Sequence, residues 1–162
     1  MAVADYFLKL DGIQGESKDS KHTNEIQIQS WSVGATNRGS AGVGGGMGSG
    51  KVDIADITFT KQICKAGPKL FNYCCSGQPI KTANFVARKA GKDQMEYLKI
   101  TLTDSIVSSY NLGGSDGANI HPTEQFTLNF SKIEVSYQEQ KPDGSGGGKV
   151  QANWSVTENK GA

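Results

Sequence analysis

Hydrophobic and polar positions alternate along most of this chain with the two-residue period of a β-strand. Tyr6, Leu8 and Leu10 fall on one side of a first strand, Phe7 and Lys9 on the other, and Asp11-Gly12 supplies the turn that ends it. Residues 11–24 are polar with mixed charge and read as a surface loop. Three later segments shift phase by one residue. Ile26 and Ile28 give way to Trp31 and Val33, Val52 and Ile54 to Ile57 and Phe59, and Phe126, Leu128 and Phe130 to Ile133, Val135 and Tyr137. Such a slip turns every following side chain to the other face, as a bulge or corner does. Three slips in long strands predict an all-β fold, a closed β-barrel of two curved antiparallel sheets.

One segment departs from that period. Leu70, Phe71, Cys74 and Cys75 have the spacing of a helix face, with Pro68 fitting the first turn and Gly77 the stop. This predicts one short α-helix over 67–76, its apolar side covering the barrel. Strands follow near 80–88, through Leu98, Ile100 and Leu102, and at Val150, Ala152, Trp154 and Val156. Glycine-rich loops occupy 111–121 and 140–148.

With 162 residues, 36% hydrophobic and without a repeat or a long linker, the chain reads as one domain spanning 1–162. A net charge of +1 gives no general attraction to nucleic acid. The charge is unevenly spread. Residues 61–99 carry 8 basic and 2 acidic side chains, against 5 and 7 in 1–60 and 4 and 7 in 100–162. Such segregation either forms complementary faces in a homo-oligomer or averages out on folding. No apolar run is long enough to insert into a membrane. Met1-Ala2-Val3-Ala4-Asp5 lacks the basic and apolar regions of a signal peptide, which predicts a cytoplasmic start. Cys64, Cys74 and Cys75 make a poor disulfide framework and read as buried free thiols.

Between two strand-like segments lies the run from Arg38 to Lys51, with glycine at 7 of the 12 positions from 39 to 50. Ordering so many glycines is entropically costly, so the run is either disordered or held by a neighbour's contacts, and the second is the expectation. The expected neighbour is an identical subunit in a ring. Within the run, residues 45–51 satisfy the G-x-x-x-x-G-K spacing of a phosphate-binding loop. The next residue is Val52 rather than Ser or Thr, and a strand rather than a helix follows, so both structural requirements fail. Asp53 with Asp56, and Asp116 with Glu124, are carboxylate pairs whose surroundings promise no burial. His22 and His121 have no recognisable nucleophile partner. The glycosylation-like triplets at Asn129 and Asn153 fall inside predicted strands. The basic-aromatic stretch Phe85–Lys89 is too short to indicate a nucleic-acid surface. No enzyme, cofactor or metal site emerges.

Residues 1–17 (MAVADYFLKLDGIQGES) resemble the opening of haemolysin-coregulated proteins, which build the inner tube of the bacterial type VI secretion system. The likeness runs through Glu25-Ile26, Ser30-Trp31-Ser32, the glycine run, and Lys51-Val52 to Phe59-Thr60-Lys61. It resumes at Phe85, Arg88–Gly91, Glu96-Tyr97-Leu98 and Val107-Ser108-Ser109, and closes with Leu128-Asn129-Phe130, Val135-Ser136-Tyr137 and Trp154. It implies a phage tail-tube-like barrel with one helix, assembled as a homohexameric ring with a wide channel. Rings stack into a tube inside sheath proteins. Contraction fires the tube and its tip spike protein, small effectors ride in the lumen, and the protein is secreted without a cleaved signal. It implies no catalysis. Ser32 corresponds to a lumen position linked to cargo. The extended loop at 34–51, with Arg38, Gly39, Gly42, Gly44, Gly45, Gly46, Met47, Gly48, Gly50 and Lys51, corresponds to ring contacts and stacking. The competing expectation is a monomeric β-barrel that binds a small ligand or a protein.

Overall fold

Phe59 lies between Phe85 and Phe126, with ring centroids 5.7 and 5.3 Å away, and these three rings from three strands centre the core. The computed structural model describes residues 4–39, 49–90, 94–117 and 121–161. Its strands are β1 (Ala4–Leu10), β2 (Ile26–Ile28), β3 (Ser30–Ser32), β4 (Ala35–Gly39), β5 (Ser49–Ile54), β6 (Ile57–Gln62), β7 (Ile80–Lys89), β8 (Glu96–Gly113), β9 (Thr123–Gln140) and β10 (Gly146–Ser155). One helix, α1 (Gly67–Ser76), separates β6 from β7.

Eight strands form one antiparallel sheet in the order β2-β1-β7-β8-β9-β6-β3, with β10 also on β9; β4 and β5 form a separate two-stranded sheet. The mainly β class, two sheets and a short helix match expectation. The closed barrel does not: the path is open, with β2 and β3 at its ends and no ladder joining them. The reason is connectivity. The two end strands are successive pieces of one extended segment, separated only by Gln29, and cannot lie side by side to pair with each other. β2 pairs with β1, Gln29 donates its N–H to the Thr60 carbonyl (2.9 Å), and β3 pairs with β6.

The phase slips thus mark exchanges of partner rather than closure. At Gln29 the chain passes from β1 to β6. At Ala55-Asp56 it leaves β4 and begins to pair with β9, where Ile57 faces Leu128. Along β9, residues 123–128 pair with β6 and 132–140 with β10. The opposite strand accommodates this bend with a register shift between Val107 and Ser109 and a left-handed backbone at Asp104 (φ 49).

The helix occupies the predicted range, with Pro68 in its first turn and Gly77 closing it at φ 70. Its packing is narrower than the spacing suggested. Leu70 is buried and Cys74 half-buried, whereas Phe71 and Cys75 are exposed. Phe71 instead meets Tyr110 of β8 edge to face at 5.8 Å. The thiols are free but not buried, since Cys64 is also only half-buried. The segment 11–24 is more than a surface loop. Ile13, Gly15, Ser17 and His22 are buried in it, and a Cβ on Gly15 would stand 2.4 Å from the Glu25 carbonyl. Trp31 and Trp154 pack against the core from partly exposed positions.

Candidate assembly surface

Alternation on β3 places its residues before any function is considered. Trp31 turns inward, 4.8 Å from the Phe85 ring, so Ser30 and Ser32 point away from the core. Ser32 is exposed and its backbone is in register with Thr58. Val33-Gly34 then leads into the β4–β5 hairpin, which carries the chain off the large sheet. Ala35 faces Ile54, Thr36 faces Asp53, Asn37 faces Val52, and Gly39 faces Ser49 after a register shift.

Arg38, Gly39 and Gly50 therefore lie in hairpin strands, and Lys51 is exposed on β5. Gly42, Gly44, Gly45, Gly46, Met47 and Gly48 lie outside the described residues. The residues after Gly50 run on as strand, which deprives the phosphate-loop spacing of its helix. Between the hairpin and the β9–β10 pair lies an open apolar groove of ≈ 440 Å³. Val33, Val52, Ile54, Ile133, Val135 and Trp154 line it. The Trp154 indole N–H is buried and has no hydrogen-bond acceptor among the described residues.

Sequence reasoning missed two polar clusters. In the first, Phe7 is sandwiched. The His22 ring stacks on it at 4.4 Å, and the Arg88 guanidinium lies 4.8 Å from its centroid. His22 bridges Glu25 (2.9 Å) and Glu96 (2.8 Å). Arg88 reaches Asp5 at 3.3 Å and clamps both oxygens of Asp19. Hydrogen bonding from Arg88 holds the Asp19 carboxyl down at about 2, against the opposing effect of burial.

The second cluster corrects the reading of Glu124, which is fully buried and does not pair with Asp116. It faces Lys61 across the β6–β9 register, 3.3 Å from its ammonium, with both side chains removed from solvent. Lys61 also donates to the Gln62 carbonyl (3.0 Å) and the Cys64 sulfur (3.2 Å). Burial, aided by the neighbouring Glu124 carboxylate, pushes the Tyr110 hydroxyl up to about 12. Asp56, another of the four candidate carboxylates, accepts from Ser108 (2.6 Å) and Asn129 (2.8 Å). These ion pairs absorb part of the charge segregation within one chain, since Arg88 and Lys61 spend their charge internally. A sequence clue was available only for Arg88, whose basic-aromatic stretch pairs with β1 so that Arg88 faces Asp5.

Comparison with known proteins agrees with this architecture. Residues 7–137 match the family model described as type VI secretion system effector, Hcp. The chain is 46% identical over 161 residues to Protein hcp1 of Pseudomonas aeruginosa, covering 98% of each. It superposes on the crystal structure of Hcp1 from Salmonella typhimurium with a TM-score of 0.82 at 38% identity, covering 100% of both chains. A solved structure described as a type six secretion system protein gives a TM-score of 0.94 at 28% identity, over 99% of this chain and 100% of the other.

Proposed function

From the premise that this chain belongs to the Hcp family of type VI secretion proteins, and is a non-catalytic tube subunit, we propose that six copies close into a ring. The rings stack into a tube that sheath contraction fires together with a tip spike protein, and small effectors travel in the lumen. The subunit waits in the bacterial cytoplasm and leaves without a cleaved signal.

The observation that supports this reading best is the β4–β5 hairpin standing off the main sheet above an open apolar groove. Val52 and Ile54 are half-exposed there, and the sheet path ends at β2 and β3 with unpaired margins. A closing ring needs one surface that inserts and another that receives. The hairpin, together with the glycine-rich run 38–51, is the inserting element and contacts the next copy. Exposed Ser32 lies toward the lumen in this arrangement and contacts cargo. The small-ligand alternative wants an enclosed apolar pocket, whereas Phe59, Phe85 and Phe126 fill the interior here.

Multi-angle light scattering of the purified protein gives six times 17.2 kDa if this is right, and electron micrographs show particles with a central hole. A monomer at every concentration refutes the ring. Removing residues 40–50 weakens stacking while the subunit still melts cooperatively. Ser32→Trp leaves the rings intact and lowers the amount of effector that co-purifies. Unchanged effector retention removes Ser32 from the cargo surface.

A further inference from the structure

The polar cluster where β6 leads into α1 has no part in the ring contacts proposed above, and its side chains are chemically reactive. Lys61 Nζ is buried, with its donors directed at the Gln62 carbonyl, Glu124 Oε1 and Cys64 Sγ. Glu124 Oε2 is buried and, among the described residues, has no hydrogen-bond partner, and the carboxylate lies beside both the Lys61 amine and the Tyr110 hydroxyl. Cys64 is half-buried and lines a cleft of ≈ 370 Å³ together with Glu16, Gln29 and Gln62. A small polar oxidant reaches the sulfur by that route, while the amine is held 3.2 Å away on the inner side.

We propose that Lys61 and Cys64 form a modification site, in which hydrogen peroxide joins Cys64 Sγ to Lys61 Nζ as a sulfenamide. First the Cys64 thiol gives up its proton and its sulfur attacks one peroxide oxygen. The S–O bond forms and the O–O bond breaks. Hydroxide departs and collects the proton as water, so the sulfur is oxidised and the peroxide reduced. Next the Lys61 ammonium passes one proton to Glu124, and its freed lone pair attacks Sγ. The S–N bond forms and the S–O bond breaks. Hydroxide leaves with a second nitrogen proton as water, and Glu124 releases its proton to solvent. Thiol, ammonium and one peroxide become an S–N bond, two waters and one proton. The held amine intercepts the sulfenic acid before a second peroxide can reach it.

The test uses the full chain carrying Cys74→Ser and Cys75→Ser, so that no disulfide can form within one chain. The reduced protein is treated with hydrogen peroxide and examined by intact mass spectrometry and tryptic mapping. The expected product is lighter by two hydrogens and resists trypsin after Lys61, whose nitrogen no longer carries charge. Dithiothreitol restores both the mass and the cleavage. A further Cys64→Ser change, which keeps an acceptor for Lys61 and so tests the chemistry without emptying the cluster, abolishes the product. A chain that stays unmodified overturns the proposal. So does one that gains only oxygen at Cys64, or one that loses two hydrogens yet is still cut after Lys61.

Discussion

A Cβ on Gly67 would stand 2.5 Å from Glu124 Oε1, so the first residue of α1 has to be glycine for the buried carboxylate to keep its place beside Lys61. Gly67→Ala forces either the helix or the ion pair to move. The expected cost is about 1–3 kcal/mol of unfolding free energy, in the range of overpacked interiors. Urea denaturation at neutral pH measures it, and an unchanged midpoint shows that the helix start yields freely.

Removing the cation is expected to be worse than crowding it. Lys61→Met leaves Glu124 buried without its partner, and the loss is about 3–5 kcal/mol. The double change Lys61→Met with Glu124→Leu recovers much of that loss, because no lone charge then remains inside. Failure of the double variant to improve on the single one refutes the ion-pair account.

The Arg88–Asp19 clamp governs the acid limb. With Asp19 lowered to about 2 in the folded chain, its contribution is complete above its unfolded value near 3.8 and is lost as pH falls through about 2. Asp19→Asn melts at a lower temperature than wild type at neutral pH, and the gap closes as pH drops across that window. Thermal melts over a pH series check this, and a gap independent of pH refutes it.

Tyr110 governs the alkaline side. Its hydroxyl titrates at about 12 when folded against 10.0 for the free group, so the folded state holds this proton more tightly. Its contribution is complete below pH 10.0 and is lost as pH rises through about 12. Tyr110→Phe flattens that decline. Tyrosinate absorbance followed with pH shows one late-titrating ring missing from the variant.

His22 ties the segment 11–24 to the sheet through Glu96, 74 positions along the chain. His22→Ala is expected to raise the rate of tryptic cleavage at the exposed Lys18 and Lys21 severalfold, with the remainder of the chain as resistant as before. Equal cleavage rates refute the tie.

Local signals carried the readable part of the fold. Pro68 and Gly77 bracket α1 because each acts on its own backbone. The one-residue slips at 28/31, 54/57 and 130/133 were visible for the same reason. Their meaning was not, because a slip looks identical whether a sheet closes on itself or a strand changes neighbours. Only the pairing of β2 with β1 and of β3 with β6 decides between them. The buried charges were invisible for a further reason. Arg88 meets Asp5 from 83 positions away, and Lys61 meets Glu124 from 63, so a charged residue in an apolar run looks like surface until its partner arrives. Of the residues proposed for assembly, Ser32 is exposed on β3 and Lys51 on β5, and Arg38, Gly39 and Gly50 lie in the hairpin strands.

The passage through Gln29 also dictates when the subunit can be finished. β3 rests on β6, β6 rests on β9, and β2 reaches β9 only through β1, β7 and β8. A nascent chain emerging from the ribosome can therefore pair β1 with β2, β3 with β6 and β4 with β5 early, but β6 lacks its β9 neighbour until residues 123–128 have been synthesised. Apolar margins wait uncovered for most of translation, and completion is a late, long-range event. For this topology, the hazard of sticking to the wrong neighbour is greatest before the protein is whole.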